Sequence, residues 1–305
     1  PVLDWQRFAS GTDRAGFVAD LGRACRETGF FLVAGHGIDP ALIEGAFAAA
    51  DAFFALPEAE KARLDIRLSP HNRGWARTGS EALDEKSGLL DQKEAFNIGL
   101  DLAPDDPRVL AGAPFRGVNL WPELPGFRAT MLAYFDAVWA LGRELHRAFE
   151  AELGLPEGWF EPHFTAPMAT LRALRYPASS TGEGIGAGAH SDYGSITLLM
   201  TDGVAGLQVR PHGGDWVDVP HVPGAYVVNI GDCLMRWTND TYVSTPHRVL
   251  PPKVPRRSLA FFLDPNPESV IAALPGTGAP HYAPITGADY LRSRLDATYM
   301  PMGAA

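Results

Sequence analysis

The sequence predicts an α+β protein with a mainly β core, a double-stranded β-helix (jelly roll) preceded by helices and followed by one helix. The first observation is the texture of residues 169–265, where short apolar runs alternate with Gly, Pro and Asp. Runs spaced by roughly 8–12 residues are typical of sandwiches and barrels, and among these a jelly roll fits best. The second observation is helical periodicity on both sides of this region, which places helices outside the β core.

The elements before the β core follow from periodicity and capping residues. A helix is predicted over residues 12–28, capped by its first threonine, and a strand over 30–34 after the glycine that ends the helix. An Asp-Pro pair opens a second helix over 39–56. Residues 65–125 are rich in Pro, Gly and charge and show little periodicity. A long helix over 125–153 carries an aromatic stripe, which we interpret as core packing.

The clearest strands of the predicted core are short runs of apolar and β-branched residues. They cover residues 171–176, 196–201, 206–210, 216–219, 225–230, 247–250 and 258–263. A short helix over about 286–298 is predicted to close the fold.

Composition limits the possible partners and the compartment. The chain has 305 residues and a net charge of −10, which argues against a nucleic-acid backbone or an anionic membrane as the main partner. Two cysteines, Cys25 and Cys233, form no disulfide framework, and a reducing compartment fits them. With no apolar run of membrane-spanning length and no signal segment, we expect a cytoplasmic protein.

Two residues in a predicted strand indicate a metal site. His190 and Asp192 stand at positions i and i+2 of a strand, so their side chains point to the same face. With His247 as a third ligand, two imidazoles and one carboxylate would leave coordination positions open, as in non-haem Fe(II) oxygenases. A zinc site with hydrolytic chemistry, or a structural histidine cluster, remains an alternative for these residues alone.

A second motif favours iron. Arg256 and Ser258 share one face of a later predicted strand, and Arg256 follows His247 by nine residues. A guanidinium that points into a β core needs a carboxylate partner, because a buried unpaired charge is costly. Arg257 is predicted to point outward.

The order of these motifs resembles the isopenicillin N synthase-like branch of the Fe(II)/2-oxoglutarate-dependent dioxygenases. That family carries His-x-Asp, a distal His and an Arg-x-Ser nine or ten residues later, which match His190, Asp192, His247, Arg256 and Ser258. Three segments near the start are also similar to the family's N-terminal region, at residues 28–38, 53–57 and 91–96.

The resemblance implies an organisation and a set of cofactors. It divides the chain into an N-terminal dioxygenase-type region (1–120), a long helix with its connector (121–168), the jelly-roll core (169–270) and a C-terminal tail (271–305). It implies Fe(II), O₂ and 2-oxoglutarate as cosubstrate, whose distal carboxylate would meet Arg256, Ser258 and the hydroxyl of Tyr176. Many members have Asn two residues before that Tyr, whereas this chain has Leu174, so a polar contact near the metal-bound end is missing.

The predicted function is oxygenation, chiefly hydroxylation, of a small molecule with release of succinate and CO₂. Desaturation and ring closure are other outcomes of the same chemistry. One alternative is an iron oxidase of this family that does not use 2-oxoglutarate, and another is a non-catalytic jelly-roll binding protein.

The substrate is predicted only as a class. Arg73, Trp75 and Arg77 lie close together in the irregular segment, and loops over a rigid β scaffold commonly determine specificity. An aromatic residue flanked by arginines suits a small organic acid or a planar anionic metabolite. Solvated loop charges beside a packed Trp are the alternative. The sequence names neither the substrate nor the oligomeric state.

Overall fold

The computed structural model describes residues 1–84, 89–179, 181 and 184–299. Most helices lie before the β core. The helices are α1 (Gln6–Ala9), α2 (Arg14–Glu27), α3 (Pro40–Phe54), α4 (Glu58–Ala62), α5 (Pro107–Leu110), α6 (Phe127–Leu153), α7 (Asp232–Trp237) and α8 (Gly287–Tyr299).

The strands are short, as the sequence predicts. They are β1 (Val2–Asp4), β2 (Phe30–Ala34), β3 (Gly74–Ala76), β4 (Glu94–Gly99), β5 (Thr170–Tyr176), β6 (Ala187–His190), β7 (Ile196–Thr201), β8 (Leu207–Val209), β9 (Val217–Asp218), β10 (Tyr226–Ile230), β11 (His247–Val249), β12 (Arg256–Leu263), β13 (Val270–Ile271) and β14 (Ile285–Thr286).

Two sheets form the core. Within the described residues, the larger sheet has the order β1-β2-β10-β7-β12-β5-β4-β3 and the smaller one β6-β11-β8-β9. All pairings in both sheets are antiparallel except β1 with β2. Neighbours that are distant in sequence, such as β12 with β5 and β7, are the crossovers of a double-stranded β-helix.

The helices cover the outer face of the larger sheet. α6 packs against α2 and α3 on one side and against β7 and β12 on the other. Its buried stripe of Phe127, Met131, Tyr134, Val138 and Phe149 lies in the main apolar core, as the aromatic periodicity predicts. A smaller apolar cluster, which includes Phe30, Leu174 and Val249, lies between the two sheets.

Two local predictions differ from the structure. The cap of α2 is Asp13, whose carboxylate accepts from the Gly16 amide, and not Thr12. The irregular segment 65–125 contains β3 and β4, which extend the larger sheet beyond β5. Every residue of β4 is buried, including Glu94 and Asn97, so this strand has no alternation of polar and apolar residues to reveal it.

Candidate metal centre

Two strands of the smaller sheet bring the histidines together. His190 ends β6 and His247 begins β11, and these residues lie directly opposite each other in the antiparallel register. Directly opposed residues project to the same face. Their ring centroids are accordingly 4.4 Å apart.

Asp192 reaches the same point from an irregular stretch and not from a continuous strand. The predicted strand that carries His190 and Asp192 stops at His190, and the next strand begins at Ile196. The main chain in between is held by the start of α7, where the Asp232 amide donates to the Asp192 carbonyl at 2.7 Å. A Cβ at Gly231 would lie 2.2 Å from the Gly194 carbonyl oxygen, so only glycine permits this approach.

Three ligand atoms converge at the centre. Oδ1 of Asp192 lies 3.7 Å from Nε2 of His190 and 3.6 Å from Nε2 of His247. One ligand atom from each residue lies within 4.8 Å of the others, a spacing suited to a single metal ion. Within the described part of the chain, no other group of three or more His, Cys, Asp or Glu residues has a spacing that could hold a metal ion.

Hydrogen bonds orient both imidazoles. Nδ1 of His190 donates to the Gly188 carbonyl at 2.6 Å, and Nδ1 of His247 donates to the Thr245 carbonyl at 3.2 Å. With the proton on Nδ1, the lone pair of each Nε2 points at the centre. Metal-ligating histidines are usually oriented in this way.

Two polar side chains hold the other oxygen of Asp192. Oδ2 accepts from the Thr197 hydroxyl at 2.5 Å and from the Asn229 amide at 2.7 Å. The sequence analysis missed both residues, because they lie on β7 and β10 and carry no motif. Their hydrogen bonds leave Oδ1 free to face the imidazoles.

Burial and neighbouring charge set the protonation states. Burial, with a smaller contribution from His247, lowers the pKa of His190 to about 4. Burial alone would raise the pKa of Asp192, but the two nearby histidines hold it well below its usual range. At neutral pH the centre therefore offers a neutral imidazole at His190 and an ionised carboxylate, the forms that bind a divalent cation.

An inner cavity extends between the sheets from this centre. Arg256 and Ser258 line it from β12, and Tyr176 and Leu174 lie opposite them on β5. Arg256 is 1% exposed, with Nε bonded to the Val204 carbonyl and the guanidinium 4.9 Å from the centroid of the Tyr176 ring. Its Nη1 has no hydrogen-bond partner among the described residues.

Arg257 points the other way, as strand alternation predicts. It forms ion pairs with Asp51 of α3 and with Asp202, on the outer side of the larger sheet. Its neighbour Arg256 is therefore the guanidinium that faces the inner cavity.

A buried charged cluster borders the inner cavity, and the sequence analysis did not identify it as part of the site. The Lys93 ammonium lies 2.5 Å from Asp91 and 3.2 Å from Glu81, and Glu81 also pairs with Arg172. The other oxygen of Asp91 accepts from the Gly188 amide, next to the carbonyl that orients His190. The sequence signal that could have identified this cluster is the segment at 91–96, which resembles the family but was assigned no role.

An outer cavity also reaches the same centre. Leu83, Arg172, His190, Asp192 and Phe262 line both cavities. Of the loop residues singled out in the sequence, Arg73 lines the outer cavity, whereas Trp75 is buried against Glu94 and Arg77 lies outside.

Comparisons with known proteins identify the family of the chain. Residues 1–124 match the family described as "non-haem dioxygenase in morphine synthesis N-terminal", and residues 167–265 match the "2OG-Fe(II) oxygenase superfamily". A 2-oxoglutarate-Fe(II) type oxidoreductase of Emericella nidulans is 37% identical, over 98% of this chain and 90% of that protein.

Solved structures show the same fold. A full-length Neurospora crassa protein, solved in complex with alpha-KG and thymine, superposes with a TM-score of 0.87 at 34% identity, covering 98% of this chain and 97% of that one. JOX2, in complex with 2OG, Fe and JA, superposes with a TM-score of 0.79 at 31% identity, covering 97% of this chain and 83% of that one.

The fold and the histidine–carboxylate centre define a non-haem iron oxygenase of the jelly-roll class. The chain belongs to the Fe(II)/2-oxoglutarate-dependent dioxygenase family. The predictions of family, fold class, enzyme type and cofactors are thereby confirmed. In the described part of the chain, helices long and apolar enough to span a membrane are absent.

Proposed function

We propose that this enzyme oxidises a small organic molecule with one Fe(II) ion held by His190, Asp192 and His247. In the same proposal, Arg256, Ser258 and Tyr176 bind the distal carboxylate of 2-oxoglutarate. The observation that carries the proposal is Nη1 of Arg256, which has no hydrogen-bond partner among the described residues and lies in a cavity that also contains the three metal ligands.

The residues present fit both groups. Two imidazole nitrogens and one carboxylate oxygen suit Fe(II) and leave coordination positions for cosubstrate and O₂. In the same cavity, the buried Arg256 guanidinium has no carboxylate partner among the described residues, which favours an anionic ligand. Arg binds carboxylates in a bidentate manner. Iron and 2-oxoglutarate, when bound, supply an oxidant that inserts oxygen into the substrate as succinate and CO₂ are released.

The chain's own residues hold and orient these groups. Thr197 and Asn229 keep Oδ1 of Asp192 aimed at the metal, and the backbone carbonyls fix the imidazoles. Apolar side chains along the inner cavity, such as Phe30 and Leu199, exclude water from the charged contacts. Exclusion of water strengthens each of these electrostatic interactions.

Leu174 leaves the metal-proximal end of the cosubstrate without the polar contact common in the family. Arg172 lies two residues earlier on the same face of β5 and lines both cavities at the metal centre. We infer that Arg172, oriented by its ion pair with Glu81, supplies the charge at that end.

The small size of the substrate is supported by the relatives. The Neurospora crassa protein binds thymine and JOX2 binds JA, and both share the fold and more than 30% identity with this chain. The net charge of −10 supports the inference that neither nucleic acid nor membrane is a partner. Two buried cysteines without a disulfide support a cytoplasmic location.

We also propose the division of the chain into units at 1–120, 121–168, 169–270 and 271–305. The helical cover over the larger sheet and the placement of the inner cavity between β-core strands support this division.

The test is the stoichiometry of O₂ uptake and succinate formation during turnover of a panel of small carboxylates, amino acids and aromatic compounds. We expect one succinate per O₂, with loss of both in Asp192→Ala and retention in the exposed variant Asp218→Ala. O₂ uptake without succinate would instead indicate an oxidase that bypasses 2-oxoglutarate. Tight ligand binding with neither signal would indicate a binding protein.

A further inference from the structure

The outer cavity is lined by both apolar and polar side chains. Its apolar walls come from several segments of the chain. They are Leu83, Phe115, Met168, Phe262, Leu291 and Leu295. The two leucines belong to α8, which therefore covers the cavity. Arg73, Asn97 and Thr170 are among its polar lining residues, and His190 and Asp192 border the same space.

Among the residues that the structure describes, Arg73 is a buried cation without a counterion. The residue is 5% exposed, and its guanidinium forms no ion pair within the described part of the chain. Its hydrogen bond to the Thr170 hydroxyl is long, at 3.4 Å, and its Nε has no partner among the described residues. Burial and the neighbouring Arg116 guanidinium lower the pKa of Arg73 to about 10, so the group is still charged at neutral pH.

The backbone is shaped to hold this guanidinium in place. A Cβ at Gly99 would lie 2.0 Å from Cζ of Arg73, so glycine provides the space that the side chain fills. Asn72 and Phe115, which also line the cavity, adopt positive φ angles of 60° and 57°. Non-glycine residues in this conformation are uncommon and cluster at ligand sites.

Asn97 adds to the same cavity lining an acceptor that no described residue satisfies. The residue is 1% exposed, and its Nδ2 donates to the Asn72 carbonyl at 3.2 Å. Its Oδ1 has no donor among the described residues. Leaving a buried acceptor unpaired is unfavourable, so this oxygen favours a ligand that carries an N–H or O–H group.

We propose that Arg73 and Asn97 anchor the substrate, a small cyclic carboxylic acid with an N–H or O–H donor next to its carboxylate. The carboxylate binds Arg73, the adjacent donor binds Oδ1 of Asn97, and the apolar ring lies against Phe115, Met168 and Phe262. The far edge of the ring then faces the metal centre. This inference rests on the proposed function and names its substrate class.

The proposal assigns one of the two arginines singled out in the sequence. Arg77 has a 45% exposed side chain, lies 3.9 Å from Glu58 and stacks near Trp75, away from the outer cavity. It therefore offers a matched control, since the two arginines are four residues apart and carry the same charge.

The experiment is calorimetric titration of the anaerobic holoenzyme, loaded with Fe(II) and 2-oxoglutarate, with indole-2-carboxylate and 2-hydroxybenzoate. Each acid is compared with its methyl ester, which keeps the ring and the donor but removes the charge. We expect the acid to bind at least roughly 10-fold more tightly than its ester, and Arg73→Gln to abolish that preference by weakening the acid roughly 10- to 100-fold. Arg77→Gln should retain it.

Two further readouts separate substrate anchoring from a structural role. Without acid, Arg73→Gln should have a Tm no lower than that of the wild type, because it removes an uncompensated buried charge. Asn97→Asp should also abolish acid binding, since its carboxylate occupies Arg73 at unchanged side-chain size.

The outcomes are distinguishable from failure of the proposed function. If 2-oxoglutarate binds but the wild type shows no preference for acids over esters, or binds neither acid at millimolar concentration, the Arg73 assignment is overturned. Equal acid affinity in Arg73→Gln overturns it as well. Absence of 2-oxoglutarate binding in the wild type would instead contradict the proposed function.

Discussion

Asn229 donates a 2.7 Å hydrogen bond to Oδ2 of Asp192, on the side of the carboxylate turned away from the two imidazoles. Asn229 lies on β10 and Asp192 in the turn between β6 and β7, so the bond joins the metal centre to the middle of the larger sheet. Together with the hydrogen bond from Thr197, this bond occupies Oδ2 of the carboxylate. Oδ1 is therefore the oxygen that faces the imidazoles.

The first prediction concerns this support of the ligand. Thr197→Val removes the hydroxyl at almost unchanged volume, and we expect Fe(II) affinity to fall about 10-fold or more, as for other outer hydrogen-bond partners of metal ligands. Thr201→Val, on the same strand but facing His221, is the control and should bind iron normally. Titration with Fe(II) under anaerobic conditions measures both, and equal affinities would contradict the role of Thr197.

The second prediction concerns the two adjacent arginines. Arg256→Ala should weaken 2-oxoglutarate binding by several orders of magnitude, because loss of one partner from a buried charge pair costs about 3–5 kcal/mol. Arg257→Ala should change cosubstrate affinity little, since that side chain pairs with Asp51 and Asp202 outside the cavity. Calorimetry with 2-oxoglutarate compares them, and the reverse ranking would show that the strand register is shifted by one residue.

The third prediction concerns stability far from the centre. Lys61 and Glu94 form a buried ion pair at 2.8 Å, and the Trp75 indole donates to the same carboxylate oxygen. Lys61→Met should lower the free energy of unfolding by about 2 kcal/mol, because the buried carboxylate loses its ammonium partner but keeps Arg175 and the Trp75 indole. Arg67→Met removes an exposed partner of Asp65 and should cost no more than about 1 kcal/mol. Denaturant unfolding measures the difference, and equal losses would contradict the prediction.

The fourth prediction concerns acid stability of the metal-free protein. His146 is buried, with Nδ1 on the Gly142 carbonyl and Nε2 accepting from the Ser195 hydroxyl, and burial lowers its pKa from 6.5 to about 4. Between these values the unfolded chain binds a proton that the folded chain does not, so stability is lost as the pH falls through this window. The contribution is about 3 kcal/mol at most.

His146→Gln removes that titration, and its unfolding free energy should fall less steeply between pH 6.5 and pH 4 than that of the wild type. The comparison of slopes isolates His146 from the other buried histidines, which titrate in both proteins. Parallel pH profiles for the two proteins, measured in a chelating buffer, would contradict the assignment.

Local sequence patterns were sufficient to predict part of the candidate site. Strand alternation predicts that Arg256 points inward and Arg257 outward without knowledge of the rest of the fold. In the structure, Arg256 lines the inner cavity and Arg257 pairs with Asp51 outside it. The structure also brings His190, Asp192 and His247 together, although Asp192 arrives from a turn and not from the predicted strand. That turn depends on hydrogen bonds to α7, a helix that is distant from it in sequence.

The remaining residues could not be predicted because their roles depend on packing between distant segments. Asn97 and Lys93 lie in or beside a strand buried on both faces, where polar side chains break the usual pattern. The choice between Arg73 and Arg77 depends on the space above Gly99, which belongs to the neighbouring strand. The sequence of a single strand does not reveal whether a side chain fits the space beside the neighbouring strand.

The two cavities meet at the metal centre but differ in what builds their walls. The inner cavity is made mainly by strands, whereas the outer one takes much of its lining from the loops around Arg73 and Phe115 and from α8. The proposed substrate site and the proposed cosubstrate site are therefore built by largely separate parts of the chain. Exchange of loops and the last helix with those of a relative should retarget the enzyme while its cosubstrate turnover persists, which makes this scaffold suited to evolution toward new substrates.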